Sequence, residues 1–116
     1  KPRLSRAFFV SAKDTVLGKD YELSVAFVTS ARMHRLNKQY RGKSSSTDIL
    51  SFPLSKDSGE IIVCMKDVEA QAPLFKRTTS NFIKYLFIHG LLHLKGMKHG
   101  SRMEKQERKF RKKFKV

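Results

Sequence analysis

Cysteine is nearly absent from this chain of 116 residues: Cys64 stands alone, so no intramolecular disulfide can form. That excludes a disulfide-stapled secreted scaffold and fits a reducing cytoplasm. No apolar run approaches the roughly 20 residues of a membrane span, and the opening stretch KPRLSRAFFVSAK lacks the apolar core of a signal peptide. Tryptophan is missing and proline is scarce, with three residues. Acidic residues are also few. Ten Asp and Glu face 25 Lys and Arg, a formal net charge of +15. Such an excess on a small chain raises self-repulsion and calls for a polyanionic partner. Nucleic acid ranks first, since Lys and Arg that contact phosphates release counterions. An anionic membrane surface ranks second, and a solubility device is the plainer explanation. What is present suffices for one core: 40% of the residues are hydrophobic, nine of them Phe, which argues against disorder. A chain of this size buries about two-thirds of its surface on folding, enough for one domain over residues 1–116.

Periodicity predicts a small α/β (α+β) domain. A helix is expected over residues 3–17, with Leu4, Phe8 or Phe9, Ala12 and Val16 on one face and Gly18 as its stop. Tyr21, Leu23, Val25 and Phe27 alternate as a half-buried strand. Thr29 or Ser30 can cap a helix striped by Met33, Leu36 and Tyr40. RGKSSSTD (41–48) reads as a loop. A short strand, Ile49 to Phe52, ends at Pro53, which marks an edge. After the loop LSKDSG, a strand from Ile61 to Met65 is close enough to pair antiparallel with it. Asp67 can cap a short helix reaching Phe75, and Ser80 a long one, NFIKYLFIHGLLHLK, that is apolar nearly all round and hence buried. Gly96 ends that helix. The tail SRMEKQERKFRKKF opens with Ser101 and Glu104 at capping-box spacing and carries a thin stripe of Met103, Phe110 and Phe114 on a basic background.

Three of the four histidines fall at His89, His93 and His99. His89 and His93, four apart, share a helix face with Cβ atoms about 5–6 Å apart, close enough for both rings to reach one ion at about 2.0–2.1 Å. The third ligand must arrive from another direction. Gly96 lets the chain turn after the helix, and His99 follows it. Three neutral protein ligands leave a fourth tetrahedral position for water, the arrangement of a catalytic zinc site. Nickel and copper would also accept an all-imidazole set. A lone histidine on an apolar helix is more often a hydrogen-bonded core residue, but two side by side are hard to satisfy without a shared ion. The H-x3-H-x5-H spacing equals that of the metzincin proteases, whose general base is a Glu directly after the first His. Here Gly90 occupies that place, which weighs against a peptidase. A glycine within a helix costs about 1 kcal/mol relative to Ala, and the expected reason is close approach of another backbone or of the substrate.

HGLLHLKGMKH (89–99) resembles the H-G-x-L-H-L-x-G-x-D-H signature of the YbeY endoribonucleases, the bacterial rRNA maturation factors. STDILSFP (46–53) resembles that family's T-D-V-L-S-F-P strand, YRG (40–42) its Tyr-Arg-Gly, and GEIIVC (59–64) its G-D-I-x-I-C strand. The resemblance implies a mixed sheet of three or four strands packed by helices, a zincin-like metal helix, and one zinc per chain held by His89, His93 and His99. It also implies a single-strand-specific endoribonuclease that acts on ribosomal RNA, in small-subunit processing and ribosome quality control. Ribosomal or ribosome-assembly proteins are implied as partners, in the cytoplasm and away from membranes. Arg41 matches a family arginine that faces the substrate phosphate, so Arg41 and His89 are the catalytic candidates. In one departure, Lys98 replaces the family's usual Asp before the third histidine. An acid there could orient a ligand; a lysine cannot, and adds positive charge near the ion.

Asp48 suits either a base or a turn-stabilising residue. His34 reads as a helix-surface residue, and Cys64 as a small hydrophobe in its strand. The basic tail is either a solvated face or an RNA-contacting patch. A non-catalytic RNA-binding or ribosome-assembly module with a structural metal is the competing reading.

Overall fold

A computed structural model describes residues 5–42 and 47–116. Arg3 and Leu4 of the expected first helix, and residues 43–46 of the expected loop, lie outside the described residues. The element order is α1 (Arg6–Leu17), β1 (Glu22–Phe27), α2 (Ser30–Arg41), β2 (Ile49–Ser55), β3 (Ser58–Val63), α3 (Met65–Gln71), a 3-10 turn (Ala72–Phe75), α4 (Thr79–Leu94) and α5 (Ser101–Phe114). Among the described residues no helix is long and apolar enough to cross a membrane.

The expected mixed sheet is present, with three strands in the order β1-β3-β2. β3 is central, parallel to β1 and antiparallel to β2. It is the most deeply buried strand, and Ile61, Ile62 and Val63 are all buried. Helix α4 lies across the sheet and forms the core. Phe82, Phe87, Ile88, Leu91 and Leu92 each have at most 1% of their surface exposed, and each such side chain contributes about 1.5–3 kcal/mol of transfer free energy. Helices α1 and α5 flank α4. Ala12 and Val16 of α1, with Met103 and Phe110 of α5, join the same apolar cluster.

Several local expectations shift. β2 runs through Pro53 to Ser55, with a register irregularity between Pro53 and Ser55. As an edge strand it can leave one ladder donor missing. β3 ends at Val63. Cys64 then caps α3 without a side-chain bond, and Asp67 sits inside the first turn of that helix. Three hydroxyl residues in a row, Thr78, Thr79 and Ser80, stand where α4 begins, and Thr78, not Ser80, is its cap; Thr78 Oγ1 accepts from the Asn81 N–H at 3.1 Å. Helix α5 has Gly100 at its cap position, so Ser101 is its first helical residue and no capping box forms. Of the apolar face expected on β1, Leu23 is half-buried but Val25 and Phe27 are exposed. Among the described residues β1 is the other edge strand, and Val25 and Phe27 line a shallow cleft with Arg6 and Phe9. Thr29 caps α2 as expected, accepting from the Arg32 N–H at 3.2 Å. His34 is exposed, and Cys64 is buried with Met33, Leu50 and Ile62.

Candidate metal centre

The apolar surround of α4 leaves one face of its last two turns open, and His89 and His93 occupy it. Both are half-buried, while His99 is exposed. Gly96, with φ of 100°, reverses the chain after α4 and carries His99 back toward the helix. The ring centroids of His99 lie 5.1 Å from His89 and 4.6 Å from His93. One ligand atom from each of the three rings falls within 4.8 Å of the others.

The tautomers follow from the partners. The His93 Nδ1–H donates to the Met97 carbonyl at 3.0 Å, an atom that can only accept. The His89 Nδ1–H donates to Glu107 Oε1 at 2.9 Å. In the neutral rings both Nε2 atoms are therefore bare acceptors, yet they face each other at 3.0 Å. Two lone pairs cannot satisfy one another; a cation in front of both can. Nitrogens bound at about 2.0–2.1 Å to one tetrahedral ion stand about 3.3 Å apart, so the donor set fits a metal. Burial holds the His93 ring below its ordinary pKa, with the neighbouring His89 and His99 acting in the same direction and the Met97 carbonyl and Glu107 opposing. A ring kept neutral is the form that ligates.

Glu107 was not foreseen. It lies on α5, is 7% exposed, and bridges His89 to Arg111, whose Nη1 donates to Oε2 at 3.2 Å. The Arg111 guanidinium in turn sits 5.0 Å from the centroid of the Tyr85 ring. Such a carboxylate fixes the orientation and tautomer of a ligating imidazole and raises its basicity. The sequence holds one sign of it: residues 103, 107, 110 and 114 form a single helical stripe, and Glu107 is the acid on that otherwise apolar face. Lys98 cannot orient a ligand as an acid at its position could, but α5 supplies a carboxylate to His89. Lys98 itself is exposed and lines a different cleft, with Lys95 and Arg102.

The three histidines form one side of a cleft of about 570 Å³. The end of α2 and the start of β2 line the same cleft, through Tyr40, Arg41, Asp48 and Phe52. Gly42, in the left-handed region at φ 69°, closes α2 just after Arg41. Burial raises the Asp48 carboxyl above its ordinary pKa. The N–H groups of Ile49 and of Asp48 itself pull it back, Asp67 pushes it further up and His89 draws it down. The reason for Gly90 also differs from expectation. A Cβ there would stand 2.9 Å from Ser51 Oγ and 3.2 Å from Ile61 Cδ1. Side chains of the sheet, with no backbone atom among the nearest neighbours, crowd the position.

A sequence profile described as "Endoribonuclease YbeY" matches residues 3–115. The chain belongs to the YbeY family. The Finegoldia magna protein named Endoribonuclease YbeY is 39% identical over 87 residues, 69% of this chain and 57% of that protein. Its namesake from Alkaliphilus metalliredigens is 33% identical over 99 residues, 76% of this chain and 64% of that protein. The Mycoplasmopsis synoviae protein of the same name is 36% identical over 109 residues, 85% of this chain and 70% of that protein. The chain thus spans 57% and 64% of the length of the first two YbeY relatives. The solution structure of TM1509 from Thermotoga maritima shares the fold, with a TM-score of 0.64 at 30% identity over 90% of this chain and 75% of that one.

Proposed function

We propose that this protein is a zinc-dependent endoribonuclease that cleaves single-stranded RNA and acts in ribosomal RNA maturation in the cytoplasm. The observation that carries the reading is the pair of bare Nε2 atoms of His89 and His93, opposed at 3.0 Å, with His99 beside them, opening onto a cleft that Arg41 also lines. His89, His93 and His99 hold the ion. Zinc supplies, when bound, the Lewis acidity that makes water reactive near neutral pH. Arg41 is exposed, and its guanidinium suits bidentate contact with a phosphate at the cleft mouth. Glu107 keeps the His89 ring in the tautomer that presents Nε2. The family name and the net charge of +15 support RNA as the substrate. The exposed Lys and Arg of α5, among them Lys109, Lys112 and Lys113, add positive surface beyond the histidine turn.

The alternative is an RNA-binding assembly factor with a structural metal. The exposure of His99 on an open cleft favours catalysis, since structural sites are closed by four protein ligands. The deciding experiment measures bound metal and cleavage of a single-stranded RNA for the parent and for His89→Ala. The parent should carry about one zinc per chain, as a three-histidine site requires, and should cut; His89→Ala should lose both. Zinc without cleavage in the parent would move the assignment to the assembly factor.

A further inference from the structure

We propose that Tyr40 is a stacking platform for one unpaired nucleobase of the RNA, seated beside the phosphate that Arg41 contacts. The inference rests on the reading of RNA as the substrate. Among the described residues, Tyr40 is the one exposed large hydrophobic side chain that lines the histidine cleft. It is 58% exposed, an unfavourable position for an aromatic ring that serves only the core. The ring is nonetheless held in place. It meets Phe52 of β2 edge-on, with centroids 4.9 Å apart and planes at 61°. This T-shaped contact holds the ring against β2, while more than half of the residue's surface stays open to a ligand.

The backbone adds a second constraint. Tyr40 and Arg41 are the last two residues of α2, and Gly42 closes the helix by donating its N–H to the Lys38 carbonyl at 3.1 Å. A flat apolar ring and a cation, consecutive in the chain, therefore line the same cleft as the histidines. A nucleotide has the matching pair of features, a base with a π-face and an anionic phosphate joined to it. Aromatic rings that interleave with cationic groups are how proteins grip single strands without reading sequence. A base inside a duplex has both faces covered by its neighbours, so it has none to offer Tyr40. The platform would thus select single strands by geometry, while the net charge attracts any polyanion.

The test is binding of a short fluorescein-labelled single-stranded oligoadenylate, with chelator present so that the strand survives. Tyr40→Ala should weaken binding about five- to hundred-fold, the range of one base–aromatic stack. Tyr40→Phe, which keeps the ring, should stay within about twofold of the parent on the same account. The salt dependence should be unchanged in both, because stacking neutralises no phosphate. An abasic nucleotide, moved along the strand, should cost the parent the same factor at one position and cost Tyr40→Ala nothing further there. The abasic series uses the parent and decides the matter even if Tyr40→Ala is unstable. Parent-like binding by Tyr40→Ala, an equal loss in Tyr40→Phe, or an abasic series with no sensitive position would overturn the stacking role. If binding by the parent is then still steeply salt-dependent, the RNA reading stands and only the platform falls. A parent that does not bind the strand overturns both.

Discussion

On the α4–α5 wall of the cleft, the ring nitrogens of His89 and His93 that face away from the cleft are tied to Glu107 and to the Met97 carbonyl. On the α2 wall of the same cleft, Tyr40 and Arg41 stand in solvent, steadied by an aromatic contact and a helix cap. The histidine wall is preorganised, which suits an ion whose ligands must be placed to a fraction of an ångström. The α2 wall keeps its side chains adaptable, which suits a flexible strand. If that contrast is functional, substitutions on one wall should change metal binding and those on the other should change substrate handling alone.

The largest test lies on the histidine wall. Glu107→Ala leaves the His89 Nδ1–H without its acceptor, so zinc affinity should fall about 10–100-fold, measured by chelator competition, with cleavage falling in parallel. Glu107→Gln keeps an oxygen that can accept and should lose less. Parent-like affinity in Glu107→Ala would break the contrast at its stronger side. Arg41→Ala on the α2 wall should lower kcat/KM for RNA about tenfold, from the loss of one charge-assisted hydrogen bond. Zinc content and melting temperature should not move; a drop in zinc would show that the walls are not separable.

The smallest effect is expected at Asp48, which lines the same cleft. Burial raises its carboxyl above the ordinary value, so the folded protein holds this proton more tightly than the unfolded chain. Its contribution to stability is present at low pH and is lost as pH rises through the raised value. Asp48→Asn should therefore match the parent's melting temperature at low pH and exceed it at neutral pH. The same difference at both pH values would show that the carboxyl is not strained by its burial.

The histidine wall was also the more legible of the two in the sequence. The i, i+4 spacing of His89 and His93, and Gly96 as the turn that returns His99, are local features of one segment, and local periodicity survives folding. Glu107 was hidden because its role depends on α5 packing on α4, and spacing within α5 carries no record of its neighbour. The sheet was legible in its strand runs and in the antiparallel pairing of β2 with β3. The true extent of β2 was not, because Pro53 ends a central strand but only interrupts an edge one. The cap of α4 was ambiguous for a simpler reason: Thr78, Thr79 and Ser80 are all competent, and only the register of the first turn chooses among them.

Gly90 limits what this scaffold can become. A protein engineer who wished to borrow the metzincin spacing and install its missing glutamate would be placing a long acid against Ser51 and Ile61 of the sheet. Ser51 Oγ would have to turn aside and Ile61 to shift before even the first carbon of the new side chain could be seated. Turning this helix into a peptidase's would therefore mean changing β2 and β3 along with position 90, so the distance between the two chemistries is measured in the sheet as well as in the one codon that separates their motifs.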